Sequence, residues 1–484
     1  MFIANCSLTM ASTAKNTLFM TMASVFQKVI AFAYFTLIAR KIGATGTGTY
    51  FFALSFTTVF VVFVDLGLTN VFIRESAKAK EKLGEYLSTI LSIKMGLGLL
   101  SYLAAIIVIN LMGYDIETRH LVYLSAVTML LDSLHLTLYG ALRALGELKY
   151  EAMSIVGSQL LTLVLGTFFL YAGFPLIYLI FAFTVSSAAN VIFAITILKT
   201  KHHLSLRPSY KSDVAKHIAR IAIPFALAAV FARVYSYIDS ILLSKMMGNE
   251  AVGFYSIPYK ITYAFQFIPL ALIAALYPKF SEYFAHDKKK LSQVFEQGVK
   301  YLLLIAMPIA FGIAVLSKDI VLLLYTDEYL PSVLPLQILI TSLIFSYLSF
   351  PIGAFLNACD KQKAQTTIVG TVMVVNIVLN VLLIPRLGVA GAAVAALVGN
   401  VLLTVFGYFI VPKITHVSHG YIAKTFFQIL FSAGGMALAV YAVNTQVNFF
   451  YAILVGAVTY PILLFLTRSV RMGELKEAVQ FIKR

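Results

Sequence analysis

Lys28 and Arg233 are cations set in the middle of long apolar runs, and a shift of the chain by 205 residues lays one on the other. An ionisable group at mid-bilayer costs about 2.5–3.5 kcal/mol on insertion scales, so each must face a partner or a wet cavity. Two cations at equal depth on one cavity would attract an anionic ligand such as a phosphate or diphosphate. The competing reading pairs each with a carboxylate of its own bundle. Arg233 and Asp239 do not make such a pair within one helix: six residues leave them about 120° apart, off the i,i+3 and i,i+4 positions. Lys260, flanked by Tyr259 and Tyr263, is a third cavity candidate. Four more groups could hold a coupling proton or sodium ion, or serve structure alone. Asp132 and His135 share a helix face at i,i+3, with Tyr139 one turn further; Asp65 lies toward the inner end of the second span, and Asp239 in the outer half of the seventh. A structural hydrogen bond, or a pair with Lys28 or Lys94, competes for each. Lys94, Arg220 and Lys300 sit near inner ends and are expected to snorkel.

Nothing else in the chain calls for an enzyme, a metal or a cofactor. No nucleophile–base pair or nucleotide motif emerges. Cys6 and Cys359 have neither a C-x-x-C spacing nor a histidine partner, which speaks against zinc and a structural disulfide. Gly43-Ala44-Thr45-Gly46-Thr47-Gly48 looks like a phosphate loop but lacks the following Lys-Ser/Thr, and reads as a flexible turn. The sequon Asn5-Cys6-Ser7 falls on the side assigned to the cytoplasm and is set aside.

The elements that must position these charges are transmembrane helices. The composition is 60% apolar and 12% charged, against about a quarter charged in soluble domains. The apolar runs are continuous rather than alternating, which excludes a transmembrane barrel. A hydrocarbon core about 30 Å thick takes roughly 20 apolar residues per helix. The pattern predicts fourteen spans, at 16–40, 49–73, 86–112, 120–142, 150–172, 175–198, 217–244, 253–278, 297–316, 332–356, 364–384, 389–411, 420–442 and 449–467. The first is read as a retained helix, too long for a signal peptide. With the N-terminus inside, the inside segments carry 25 lysines and arginines and the outside segments 6, which places both termini in the cytoplasm. The net charge of +16 therefore reports topology and excludes a nucleic-acid partner. Segment 199–216 reads as a solvated basic loop near anionic lipid, and 279–296 as a basic loop able to form a short surface helix.

The 205-residue shift extends beyond the two cations. It lays Ala23 on Ala228, Phe26 on Phe231, Gly43 on Gly248, Gly48 on Gly253 and Tyr50 on Tyr255, and a shift of 213 lays Gly140-Ala141 on Gly353-Ala354. Spans 1–6 thus read as a copy of spans 7–12 in parallel orientation, an arrangement that supports rocking of two bundles around a central cavity. The expected fold is an all-α polytopic membrane protein of two pseudo-symmetric six-helix bundles plus two extra helices. Its divisions are a first bundle at 1–198, a cytoplasmic linker at 199–216, a second bundle at 217–413, and helices 13–14 with a basic tail at 414–484.

These motifs carry a family resemblance. Lys28 in the first span, Ala39-Arg40-Lys41-Ile42-Gly43, Gly48-Thr49-Tyr50, Asp65-Leu66-Gly67-Leu68, Arg74-Glu75, and Gly140-Ala141-Leu142-Arg143 through Gly146-Glu147-Leu148-Lys149 resemble the polysaccharide-exporting, O-antigen-type flippases of the multidrug/oligosaccharidyl-lipid/polysaccharide (MOP) superfamily. The resemblance covers spans 1–12. It implies a V-shaped pair of six-helix bundles in the cell membrane. It also implies transfer of a polyprenyl-phosphate- or diphosphate-linked oligosaccharide to the outer leaflet, with glycan-assembly proteins as partners. Cavity cations meet the phosphates in such relatives, a role that Lys28, Arg233 and Lys260 fit by type and depth. The alternatives are a cation-coupled multidrug exporter, disfavoured by basic repeated residues, and a lipid II flippase. A membrane glycosyltransferase would need a larger loop than this chain has.

Overall fold

The computed structural model describes residues 2–470, with side chains for 19–222 and 226–470. The tail from Arg471 onward, and the side chains of Asn5-Cys6-Ser7, Lys15 and Pro224, lie outside the described residues. Among those described there are sixteen α-helices and no strand. They are α1 (Phe2–Asp65), α2 (Leu68–Lys78), α3 (Leu83–Leu111), α4 (Ile116–Ala144), α5 (Leu148–Tyr171), α6 (Ile177–Thr200), α7 (Ser212–Met247), α8 (Asn249–Ala264), α9 (Phe267–His286), α10 (Lys288–Val315), α11 (Ser317–Leu324), α12 (Val333–Ala358), α13 (Gln362–Leu387), α14 (Val389–Tyr408), α15 (His419–Gln446) and α16 (Phe449–Leu466).

Among the described residues, thirteen helical segments are long and apolar enough to cross a bilayer. The first, Phe19–Asp65, has 47 residues. At about 1.5 Å per residue that is roughly 70 Å, more than twice a hydrocarbon core. It is broken at Gly43 (φ 70°, ψ −177°), a backbone conformation that a Cβ would strain. Counted at that break, the segments make fourteen traverses.

Several expected boundaries shift for physical reasons. The turn expected between the first two spans contracts to Gly43 alone, and the helix resumes at Ala44. The second span ends at Asp65, not residue 73, because Leu66 (φ 43°) and Gly67 (φ 78°) are both left-handed and stop the helix. The eighth span is interrupted between α8 and α9. Pro269 has no N–H to offer the carbonyl of Phe265 four residues back, and the Tyr347 hydroxyl donates to that oxygen at 2.6 Å. No separate surface helix forms at 279–296: α9 and α10 run through it and meet at Asp287, whose carboxylate caps α10 by accepting from Lys289 N and Lys290 N at 3.1 and 3.0 Å.

Contacts divide the chain into two compact units, residues 1–253 and 254–484. In unit 1, α2, α3, α4, α6 and the start of α7 close a core around Phe72, Leu87, Leu142, Leu198 and Ile218. The segment expected to be a solvated loop is docked here. Ser209 N donates to Ser88 O at 3.2 Å. Lys211 pairs with Glu85 at 3.3 Å, and Lys201 pairs with Glu147. Leu204 and Leu206 pack against the core; their alternation with Ser205 and Arg207 gives an extended segment one apolar edge. In unit 2, α12 packs between α10 and α14, and α15 and α16 pack on each other and on α10. Tyr460 of α16 donates to Leu304 O of α10 at 2.8 Å.

Candidate functional site

Asp65 ends the long helix α1, and the break at Leu66-Gly67 returns α2 beside it. Thr69 at the start of α2 donates to Asp65 through its hydroxyl and, at 3.3 Å, through its backbone N–H. Lys94 of α3 reaches the same carboxylate, Nζ to Oδ1 2.5 Å, and donates to Thr69 Oγ1 at 2.9 Å and to Ser133 Oγ and O of α4 at 3.2 and 3.3 Å. The Lys94 side chain is 4% exposed and that of Asp65 31%. Lys94 therefore does not snorkel, as its position near a helix end suggested. A buried ammonium is tolerable when opposite charge and hydrogen-bond acceptors replace water, and this one has four oxygens. Lys300 is likewise buried, at 7%, whereas Arg220 is exposed.

Next to Ser133 on α4, Asp132 accepts from Ser187 of α6 at 2.6 Å. His135 Nδ1 lies 3.5 Å from the same Asp132 oxygen. The His135 ring is 5.3 Å from that of Tyr139. Tyr139 donates to Ser154 and, at 3.1 Å, to Asn190. The i,i+3 spacing brings Asp132 and His135 together, and the fold adds Ser187.

The candidate cations occupy different settings. Lys28 on α1 is half-buried. Arg233 on α7 is exposed, with its guanidinium 6.0 Å from the Tyr237 ring. Lys28 and Arg233 each lie fifteen residues before a glycine of matching conformation, Gly43 and Gly248 (φ 87°, ψ 175°), which is about 22 Å of helix. Lys260 on α8 is half-buried beside Tyr259 and Tyr263, whose rings stack at 5.9 Å. Asp239 on α7 is 5% exposed.

On the lysine-poor side of unit 1, the two glycine turns interlock. A Cβ on Gly48 would stand 1.7 Å from Asn249 O, and one on Gly253 2.0 Å from Ala44 O. The 205-residue shift exchanges these two contacts, so the clasp is symmetric about a pseudo-two-fold. Asn249 Nδ2 donates to Thr49 Oγ1 at 3.0 Å and Thr118 Oγ1 at 3.3 Å, and Ser244 donates to Asn249 Oδ1 at 2.6 Å. Tyr114 donates to Ser244 at 2.9 Å, and Lys245 to Met112 O at 2.6 Å. Residues 43–48 are therefore a packing surface and not a flexible turn.

On the lysine-rich side, Glu75 bonds Lys78 at 2.9 Å and meets His217 at the start of α7 at 3.3 Å. The Lys78 hydrogen bond, with a smaller one from His217, holds the Glu75 carboxyl below its usual value. The Lys201 hydrogen bond does the same for Glu147. Arg143 is paired with Glu151, which is 1% exposed. The pair with Lys94 weighed for Asp65 is formed; the Arg143–Glu151 pair and the role of Asn249 have no along-chain signal because each joins different helices, and the repeated Gly43–Gly48 and Gly248–Gly253 spacing is the one signal that points to the clasp. No cluster of three or more potential metal ligands occurs among the described residues.

Comparison with known proteins supplies the context. The family model of the polysaccharide biosynthesis protein matches residues 13–284, more than half of the chain, and the MatE model matches residues 224–382. The chain is 22% identical over 479 residues to "Probable low-salt glycan biosynthesis flippase Agl15" of Haloferax volcanii, covering 97% of this chain and 99% of that protein. It is 26% identical over 245 residues to "Probable flippase AglR" of the same organism, covering 48% of this chain and 50% of that one. Among solved structures, lipid II flippase MurJ in an inward closed conformation superposes with a TM-score of 0.76 at 19% identity, covering 93% of this chain and 99% of that one, a likeness of fold. The chain belongs to the polysaccharide biosynthesis protein family, among the multi-pass membrane flippases of the MOP superfamily.

Proposed function

We propose that the protein is a flippase, not an enzyme, which moves a polyprenyl-phosphate- or diphosphate-linked oligosaccharide across the cytoplasmic membrane by alternating access, for cell-surface polysaccharide synthesis. Its termini lie in the cytoplasm, and its working parts are the six-plus-six-plus-two helices of the repeat. The observation that carries this reading is the repeated mid-span cation. Lys28 and Arg233 stand at the same depth on repeat-related helices, where an anionic headgroup needs compensation. Lys260 adds a third cation. Unit 2 contributes a place for the lipid: an apolar cavity of about 420 Å³ between α10, α15 and α16, lined by residues such as Pro308, Ile313, Met436, Ile453 and Tyr460. An isoprenoid chain matches that lining, whereas a sugar would leave its hydroxyls without partners.

The test is reconstitution into liposomes with a labelled polyprenyl-diphosphate sugar, read by the accessibility of the label from each side. Lys28→Ala and Arg233→Ala are each expected to slow transfer at least tenfold, an effect of about 1.4 kcal/mol. Unchanged transfer in both variants would remove the cations from the site.

A further inference from the structure

We propose that Asp132 and His135 form a proton-exchange site inside unit 1, and that the ion coupled to transport is the proton this pair takes up. The coupling half of this statement rests on the flippase reading; the site itself does not.

Asp65 and Asp132 both sit among polar groups in unit 1, and their settings differ. Asp65 already has its cation. The Lys94 ammonium sits 2.5 Å from it, is 4% exposed, and directs its remaining hydrogen-bonding capacity at Thr69 and Ser133. A lysine thus fills the place that an ion from solution would occupy. Asp132 has only the Ser187 hydroxyl, at 2.6 Å. Its neighbour His135 Nδ1 is at 3.5 Å, sealed from solvent and without a hydrogen bond. A proton on either of the two facing atoms completes a hydrogen bond between them. A proton from water, placed between Asp132 Oδ1 and His135 Nδ1, closes the gap as O–H···N or N–H···O and returns to water on release. The Asp132 side chain, 30% exposed, gives that proton a way in.

The groups around the pair favour a proton over a metal ion. Hard cations take several oxygen ligands, and an imidazole nitrogen is a poor one for them. A carboxylate and an imidazole, by contrast, are both groups that exchange protons. The helices packed on α4 are α1, α2, α3, α5 and α6. From α3 comes Lys94 and from α1 comes Asp65, which match each other; α1 also carries Lys28. From α6 comes the uncharged Ser187, which bonds Asp132, and from α2 the uncharged Thr69, which bonds Asp65. From α5 comes Glu151, engaged by Arg143 of α4.

The full chain in lipid nanodiscs is treated with dicyclohexylcarbodiimide, which adds to a protonated carboxyl and rearranges to a stable N-acylurea with no leaving group. Modified peptides are mapped by mass spectrometry from about pH 5 to about pH 9. The expected result is an adduct at Asp132 that declines as pH rises, none at Asp65, and a midpoint displaced by about one pH unit in His135→Gln. In liposomes, Asp132→Asn is expected to abolish the response of lipid-linked sugar transfer to an imposed pH gradient. No adduct at Asp132, equal labelling of Asp65, or an unmoved midpoint in His135→Gln overturns the site. A full gradient response in Asp132→Asn overturns the coupling. If Asp132 titrates as described but the wild-type chain transfers no lipid-linked sugar, the flippase reading fails and the proton site stands.

Discussion

Replacing Gly48 by alanine is expected to open the clasp on the lysine-poor side of unit 1. The added Cβ falls 1.7 Å from Asn249 O and 2.7 Å from Gly253 N, both backbone atoms that cannot rotate away. Restoring an ordinary 3.4 Å contact requires the two segments to part by about 1.7 Å. Overpacking of this kind costs about 1–3 kcal/mol. The parting also breaks the Asn249 hydrogen bonds to Thr49 and Thr118, each contributing about 0.5–1.5 kcal/mol. The clasped arrangement is then disfavoured by about 2 kcal/mol or more, at least a 30-fold change in its equilibrium. Ala251 lies inside the clasp at 6% exposure, and a cysteine there reports the change through its rate of labelling by a membrane-impermeant maleimide. Labelling of Ala251→Cys should be slow alone and at least tenfold faster with Gly48→Ala, again about 1.4 kcal/mol. Gly46→Ala is the control, because its Cβ meets only the Ile42 side chain, at 3.2 Å. Gly253→Ala should behave like Gly48→Ala, since a Cβ there meets Ala44 O at 2.0 Å. Equal labelling rates in Gly48→Ala and Gly46→Ala would refute the reasoning, as would an effect of Gly48→Ala without one of Gly253→Ala.

Lys94→Met should lower the thermal midpoint strongly, by a loss of about 3–5 kcal/mol, because it strands Asp65; adding Asp65→Asn should recover most of it, and a double variant no better than the single would contradict the buried pair. Tyr347→Phe should destabilise unit 2 by about 0.5–1.5 kcal/mol, through loss of the bond to Phe265 O at the α8–α9 break, measured as a shift in the denaturation midpoint. The Glu75 carboxyl is held below its usual value by Lys78 and His217. Its contribution is therefore present above the unfolded-state value of about 4.3 and is lost as pH falls through the lower folded-state value. Glu75→Gln should accordingly melt earlier than wild type at neutral pH and alongside it in strong acid; a gap that widens with acid would reverse the assignment.

Along-chain periodicity made much of this legible. Apolar run length located the spans, and the i,i+3 interval of Asp132 and His135 survives in space because both lie on one helix. The expectation that Lys28 and Arg233 lie at equal depth comes from the repeat, which reads position without any contact. What was not legible depends on contacts between helices. Asp65 and Lys94 meet only because Leu66 and Gly67 turn the chain left-handed, so a residue near a helix end became a buried counter-ion. Gly48 looked like a turn residue because glycine serves turns and close backbone approaches alike, and only a second backbone within 2 Å of its absent Cβ separates the two uses. Leu204 and Leu206 were outweighed by the lysines around them, although their alternation was present in the sequence.

The strap formed by residues 201–211 bears on how this molecule can be cut. The 205-residue shift would have α7 open a second copy, yet its first turns complete the core of unit 1, and residues 244–249 at its far end meet Thr49, Met112, Tyr114 and Thr118. A gene divided at the linker would separate Ile218 and Ala222 from Phe72 and Leu198. Two half-proteins divided instead after Gly253 would each keep their own interior. Chimeras with relatives should thus be joined within α8, near Gly253, rather than at the docked basic segment 199–216.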